Sequence, residues 1–369
     1  MVDNGLTKTY TLRLTFESPV FLGSGTKISK KEYFYNTRKH TVTFYDSGKL
    51  MRCILENDLI DAYEAYMLGS GRTLYDFFHE NGGTKKFQDA VKYQVSSGNA
   101  IQGDGRQPAD ILTHVRSGAG NVYVPGSSVK GMLRTAVTVG CILRKMPNTQ
   151  KPFVPAHSST KKAMKAEADT RMRELDEELF HTLKVDSKKI SNAVNSLFRG
   201  VSIADSPPIP DNTLILCRKL DVFPNGNRHE LNLVRECIGP GTTVTMPITF
   251  DPSLAQFITP EFIVESIQSF DNWYTAHVFS HYQDIQGLTL PALTQHLFLG
   301  GGSGYPTKTV TAPWLQDDAP HAITVWLTTL FGKKNARDDE NYGISPHMLK
   351  YTTVNERKMP FGLCKVEIL

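Results

Sequence analysis

The chain has 369 residues, of which 40% are hydrophobic and 21% charged, so it can bury a sizeable core in two domains and is too apolar for a disordered chain. Lys and Arg number 41 against 37 Asp and Glu, a net charge of +4, which permits an RNA partner without demanding one, because a local patch outweighs the total. The five dispersed cysteines, Cys53, Cys141, Cys217, Cys237 and Cys364, form no C-x-x-C pair; with no signal-peptide core and no run of membrane-spanning length, a soluble cytoplasmic protein without membrane contact is expected.

Tyr10 to Phe16 alternates apolar and polar residues and reads as a first strand. SPVFLGSG follows and ends in the glycine loop Gly23-Ser24-Gly25, with Lys27, Lys30 and Lys31 just beyond. Glu32 to Asn36 and Thr41 to Tyr45 read as a hairpin. One helix is expected over Ile54 to Leu68, with Asn57 or Asp58 capping its first turn, and shorter helices over Leu74 to His79 and Lys85 to Gln94. Ser96 to Asp110 reads as a loop, and Arg106 and Arg116 frame the approach to the next segment.

That segment, VYVPGSSVKGMLRTAV from Val122 to Val137, organises the chain. A β-type run breaks at Pro125-Gly126, and Ser127 and Ser128 stand where a helix N-cap would stand. Val129, Met132, Leu133, Ala136, Val137, Gly140 and Cys141 then repeat at helical spacing. A helix N-terminus attracts anions through its free N–H groups. Gly126 and Gly131 allow close approach of another chain, Lys130 supplies a point charge, and Arg134 supplies a planar fork for phosphate. An ordinary capped helix with a solvated basic face accounts for the same pattern. GSSVKG has the wrong order for a nucleotide P-loop.

Beyond three prolines, Thr160 to Leu183 reads as a long charged helix, either lying on the domain or docking on a neighbouring subunit. Strands are expected over Arg199 to Ala204, Thr213 to Asp221, Leu231 to Cys237 and Thr242 to Phe250, the last three as the sheet of a second domain. Pro260 to Tyr282 reads as a helix. In LFLGGGSGYPTKTV, Gly300, Gly301, Gly302 and Gly304 can turn several N–H groups toward one anion. Lys308 and Thr309 follow, and Tyr305 offers a ring for base stacking. A flexible turn is the plainer account. Gly362 to Ile368 closes the chain as a strand.

Catalytic patterns are weak. His277 and His281 could share a helix face and bind a metal, but no cysteine or carboxylate partner is evident. Asp205-Ser206 has no nearby histidine, and no G-x-S-x-G elbow occurs. No catalytic set, metal or cofactor is expected.

Five segments in this order, LGSG, VPGSSVKGMLR, VSIADSPP, GGGSGYPTKT and PHMLKYT…PFGLCKVEI, resemble the RAMP superfamily, the RNA-binding subunits of CRISPR–Cas effector complexes. Within it the resemblance is to the fifth Csm subunit of type III-A complexes. It implies an α+β fold of two ferredoxin-like (RRM-like) domains with helical insertions, divided at 1–145, 146–198 and 199–369. It implies a non-catalytic subunit that caps the crRNA 3′ end, supports crRNA maturation and serves antiviral defence. The implied partners are crRNA, neighbouring Csm subunits and host nucleases that trim the 3′ end. By motif, Gly126, Ser127, Ser128, Lys130, Gly131 and Arg134 would hold the crRNA backbone or the adjoining subunit. Gly300, Gly301, Gly302, Gly304, Tyr305, Lys308 and Thr309 would form a glycine-rich RNA loop, with Gly23, Gly25 and Lys27 as further RNA contacts. Two alternatives come from the same superfamily: a pre-crRNA endonuclease using His40, His79 or His114 as general acid–base, and a backbone subunit of the complex that cuts target RNA with an aspartate.

Overall fold

The computed structural model describes residues 7–101, 110–148, 160–332 and 338–369. Its strands are β1 (Lys8–Phe16), β2 (Gly23–Ile28), β3 (Tyr33–Asn36), β4 (Thr41–Tyr45), β5 (Val91–Ser96), β6 (Ile111–His114), β7 (Val201–Ile203), β8 (Leu214–Val222), β9 (Arg228–Ile238), β10 (Thr243–Phe250), β11 (His296–Phe298), β12 (Leu349–Val354), β13 (Arg357–Pro360) and β14 (Leu363–Ile368). Its α-helices are α1 (Ser47–Glu56), α2 (Ile60–Leu68), α3 (Leu74–Glu80), α4 (Gly126–Leu143), α5 (Lys161–Phe180), α6 (Pro252–Ala255), α7 (Pro260–His277), α8 (Thr311–Leu315), α9 (Ala319–Phe331) and α10 (Asp339–Tyr342). None of the helices among the described residues is long and apolar enough to cross a membrane.

The fold is α+β and rests on two sheets. In the first, the strand order is β11-β14-β1-β10-β7, and the pairs are antiparallel. Taking β1, α4, β7, β10, α7 and β14 in chain order gives β-α-β-β-α-β, and β14-β1-β10-β7 is then the ferredoxin-like order 4-1-3-2. The alternation in β1 turns Leu12, Leu14 and Phe16 into the core. Helices α4 and α7 pack on each other over this sheet. Thr259 caps α7 by accepting from the Phe262 N–H, and Pro260 occupies its first turn.

The second sheet runs β2-β6-β9-β8-β5-β4-β3, with the β12–β13 hairpin attached to β8. It is made of segments inserted between the elements of the first unit. Each sheet therefore draws strands from both sides of the 145 and 199 boundaries, and β8 and β9 lie in a different sheet from β10. The block from Thr213 to Phe250 is thus not one sheet: β10 pairs with β1, whereas β8 and β9 pair with the N-terminal strands β5 and β6. Helices α1–α3 enclose a satellite core on the β3–β4 end, around Phe34, Ile54, Tyr66, Phe77, Phe78 and Phe87.

Local differences from the sequence reading have local causes. The helix expected over Ile54 to Leu68 is two helices. Asn57 ends α1, with its side-chain amide donating to the Cys53 carbonyl at 2.8 Å, and Asp58 follows at φ +52°. Lys85 to Gln94 is a short 3-10 turn over Thr84–Ala90 followed by β5, because Tyr93 packs across the sheet on Phe44 with ring centroids 4.7 Å apart. Gly23-Ser24-Gly25 is not a loop but the exposed start of β2, an edge strand. Arg106 lies outside the described residues.

Candidate nucleic-acid interface

The motif helix α4 begins one residue before the serines. Pro125 is the N-cap, so Ser127 and Ser128 fall within the first turn and neither is the cap. The Gly126 N–H donates instead to the Asp205 carboxylate at 2.8 Å. Next to it, the Val124 N–H donates to Ser206 Oγ at 2.9 Å, and the Ser206 N–H donates back to the Val124 carbonyl at 3.0 Å. Asp205-Ser206 thus clamps the turn into α4. A side chain on Gly126 would reach the Ile203 carbonyl oxygen at 2.2 Å, so this glycine makes room for the chain's own strand. Gly131 is the opposite case: it is exposed, and a Cβ there would meet nothing within 4 Å among the described residues.

Lys130 is half-buried, and burial, with Arg134 beside it, pulls its pKa down. Arg134 pairs with Asp176 of α5, and its guanidinium lies 5.2 Å from the Phe180 ring centroid and 5.1 Å from that of Phe198. Arg134 is therefore a strut between α4 and the inserted helix as well as a cation. The helix expected over Thr160 to Leu183 runs from Lys161 to Phe180, with Thr160 as its cap accepting from the Ala163 N–H.

In the glycine-rich loop, Gly300, Gly302 and Gly304 have φ of +80°, +94° and +104°. The loop is clasped to two other motif segments. The Gly301 N–H donates to the Phe21 carbonyl at 2.7 Å, the Leu299 N–H to the Gly362 carbonyl at 2.7 Å, and the Gly362 N–H to the Pro19 carbonyl at 2.8 Å. A side chain on Gly300 would strike the Phe21 carbonyl oxygen at 2.2 Å. The stem of Lys308 is exposed, but its ammonium turns inward and donates to the Phe298 carbonyl at 2.8 Å; burial of that end pushes its pKa down to about 8. Thr309 Oγ1 donates to the Tyr305 carbonyl at 3.1 Å. Tyr305 does not stand free as a stacking platform: its ring packs against the core, and burial raises its pKa.

The two motifs meet. Arg134, Thr135 and Thr138 on one side and Lys308, Thr309 and Thr311 on the other line a groove of about 560 Å³, closed along its edge by α5. On β2, Gly23 and Gly25 are exposed, and Lys27 forms an ion pair of 2.8 Å with Asp110. These β2 residues are not among those lining the groove.

The early histidines differ in access. His114 is buried, its backbone N–H donates to Glu236 at 2.9 Å, and burial pushes its pKa down to about 4. It is thus held neutral, away from solvent. His40 is at an exposed turn with φ +49°, and His79 stacks on Tyr75 with ring centroids 6.0 Å apart. His277 Nδ1 is 3.0 Å from the Trp273 carbonyl. Among the described residues no group of three or more His, Cys, Asp or Glu is placed to hold a metal ion.

Sequence reasoning missed the carboxylates that engage the motif, Asp205 and Asp176, since both are remote in sequence. It also missed the basic face below the glycine-rich loop. Cys217, Lys219 and Asp221 alternate along β8, so they share one side, a signal that was legible in CRKLD.

Comparison with known proteins places this geometry. A curated protein of Mycobacterium tuberculosis (strain CDC 1551 / Oshkosh), CRISPR system Cms protein Csm5, is 26% identical over 99% of both chains. The Csm5 protein of Enterococcus italicus is 28% identical over 82% of this chain and 80% of its own. Among solved structures, a chain of a type III-A Csm–crRNA–target RNA ternary complex aligns with a TM-score of 0.60 at 17% identity, covering 97% of this chain and 100% of that one. The crystal structure of T. onnurineus Csm5 aligns with a TM-score of 0.54 at 16% identity, over 96% and 99% of the two chains. These likenesses show a shared fold, and with the two sheets they support an α+β fold of two ferredoxin-like domains with helical insertions. The RAMP superfamily model matches residues 13–305, from β1 through the motif helix to Tyr305 of the glycine-rich loop. The segments that the fold clasps together are thus largely those the family model spans, and the chain belongs to the RAMP superfamily.

Proposed function

We propose that this chain is the Csm5-type subunit of a type III-A CRISPR effector complex, a non-catalytic RNA-binding protein of the cytoplasm. It holds the crRNA backbone, caps the crRNA at its 3′ end beside neighbouring Csm subunits, and supports maturation by host nucleases, and so antiviral defence. The observation that carries this reading is the groove in which Arg134 of the motif helix and Lys308 and Thr309 of the glycine-rich loop converge, with Arg173, Asp176 and Glu177 of α5 along its edge. Ser127, Lys130 and the open Gly131 continue that face along α4, and Gly23, Gly25 and Lys27 of β2 form a second, separate contact. Cations with hydroxyls and exposed backbone suit phosphate and sugar, and such binding tolerates sequence and weakens with salt.

The test replaces the chromosomal copy with Lys130→Glu and sequences the RNA that co-purifies with the tagged complex. The reading predicts crRNA whose 3′ ends are displaced or heterogeneous relative to wild type, with the protein still folded. Wild-type 3′ ends at wild-type yield would overturn the assignment of this face.

A further inference from the structure

We propose that the face of the second sheet beneath the glycine-rich loop is a phosphate site built from Arg235, Lys219 and Lys350. Arg235 lies on β9 opposite Cys217 of β8. It is only 9% exposed, and among the described residues its Nε and Nη1 meet no hydrogen-bond acceptor. Its guanidinium sits 5.5 Å from the ring centroids of both Phe21 and Phe361. The ring faces attract the cation but leave those N–H groups unmet.

Lys219 and Asp221 follow Cys217 at two-residue intervals along β8, and Lys350 lies opposite Asp221 on β12. Asp221 accepts from Lys350 at 2.9 Å and pairs with Lys219 at 3.5 Å. Asp221 thus pairs with Lys219 and Lys350, which leaves Arg235 to the two aromatic rings. Glu236, the neighbour of Arg235, points to the other face, where it binds Arg116 and the His114 N–H. Partly buried positive charge of this kind is costly unless an anion compensates it. The glycine-rich loop is its roof: a Cβ on Gly302 would lie 3.4 Å from Arg235 Cζ, and one on Gly304 would lie 3.1 Å from Lys350 Cγ. Bare backbone at these two positions keeps the loop in contact with both cations.

A planar fork and two ammonium groups under bare glycine backbone match a tetrahedral oxyanion. The anion is a backbone phosphodiester of the bound RNA strand, an assignment that rests on the RNA-binding reading above. Arg235 Nε and Nη1 are sealed from solvent, so Gly302 moves outward as the phosphate enters. Glycine torsions at 300, 302 and 304 allow that movement.

The experiment measures binding of a labelled single-stranded RNA to the full-length protein over a salt series. Arg235→Met is expected to weaken binding roughly tenfold at low salt and to make the log–log salt slope shallower by about 0.7. Arg235→Lys should regain the slope but only part of the affinity. Lys350→Gln tests the same slope should Arg235→Met not fold, with melting curves as the folding control. Wild-type slopes in folded Arg235→Met or Lys350→Gln, while wild-type protein binds RNA, would overturn this site alone. Failure of wild-type protein to bind RNA would overturn the RNA-binding reading with it. A rise in melting temperature with inorganic phosphate, at unchanged RNA slopes, would assign the site to free phosphate and reject RNA as its ligand.

Discussion

The start of α4 and the glycine-rich loop look alike as sequences, since each places glycines and hydroxyls next to a basic residue. In the structure they differ in what their polar groups already hold. At the start of α4, the Gly126 N–H is taken by Asp205 and Arg134 by Asp176. Around the loop, Asp221 pairs with both Lys219 and Lys350, and two nitrogens of Arg235 have no acceptor among the described residues. A glycine-rich basic motif therefore marks close approach of backbone without saying whose backbone it is. At Gly126 and Gly300 it is the chain's own; at Gly131 the space is open.

The largest effects should separate the inward glycines from the outward one. Gly126→Ala and Gly300→Ala each drive a Cβ to 2.2 Å from a carbonyl oxygen, and overpacking of this order costs about 3 kcal/mol, read as a shifted midpoint in denaturant unfolding. Gly131→Ala, in open space on a helix, should stabilise by about 1 kcal/mol while weakening RNA binding. Weakened binding by Gly126→Ala with unchanged stability would reverse the comparison.

Removing the clamp gives a smaller effect. Asp205→Ala leaves the Gly126 N–H without its acceptor and should cost about 1 kcal/mol, the usual worth of an N-terminal helix cap, by the same unfolding measurement.

Next comes pH. Lys308 has a pKa of about 8 in the folded protein, below its unfolded value. The unfolded chain then binds more protons between pH 8 and the ordinary lysine range, so this group makes stability rise with pH across that window. RNA affinity should move the other way, falling as pH rises through 8 and the positive charge is lost. Lys308→Arg should flatten that fall in a binding titration at constant ionic strength. Unaltered affinity across the window would remove Lys308 from the interface.

The smallest expected change is in Asp176→Ala. Both partners of the Arg134–Asp176 pair are about one-third exposed, so stability should change by less than about 1 kcal/mol. Arg134, released, should bind RNA more tightly at low salt.

Much of the fold was legible because it depends on local period. The alternation of β1, the apolar stripe of α4 and the Thr259-Pro260 start of α7 follow from neighbours in sequence. The division of strands between sheets was not, because β8 and β10 are similar in pattern and their partners, β5 and β1, are more than a hundred residues away. The same holds for the site. The glycines and the basic residues of both motifs were readable, but Asp205 and Asp176 decide which of their polar groups are spent, and both are remote in sequence from the residues they engage. For Tyr305, a ring next to a glycine run gave no sign that it would pack against the core.

The most direct measurement is photo-crosslinking of the assembled complex carrying thiouridine-substituted crRNA, with crosslinked peptides identified by mass spectrometry. The account predicts crosslinks in two segments, residues 127–135 of α4 and residues 298–310 of the glycine-rich loop. Crosslinks that avoid both segments, or a complex in which this chain contacts no crRNA, would contradict it.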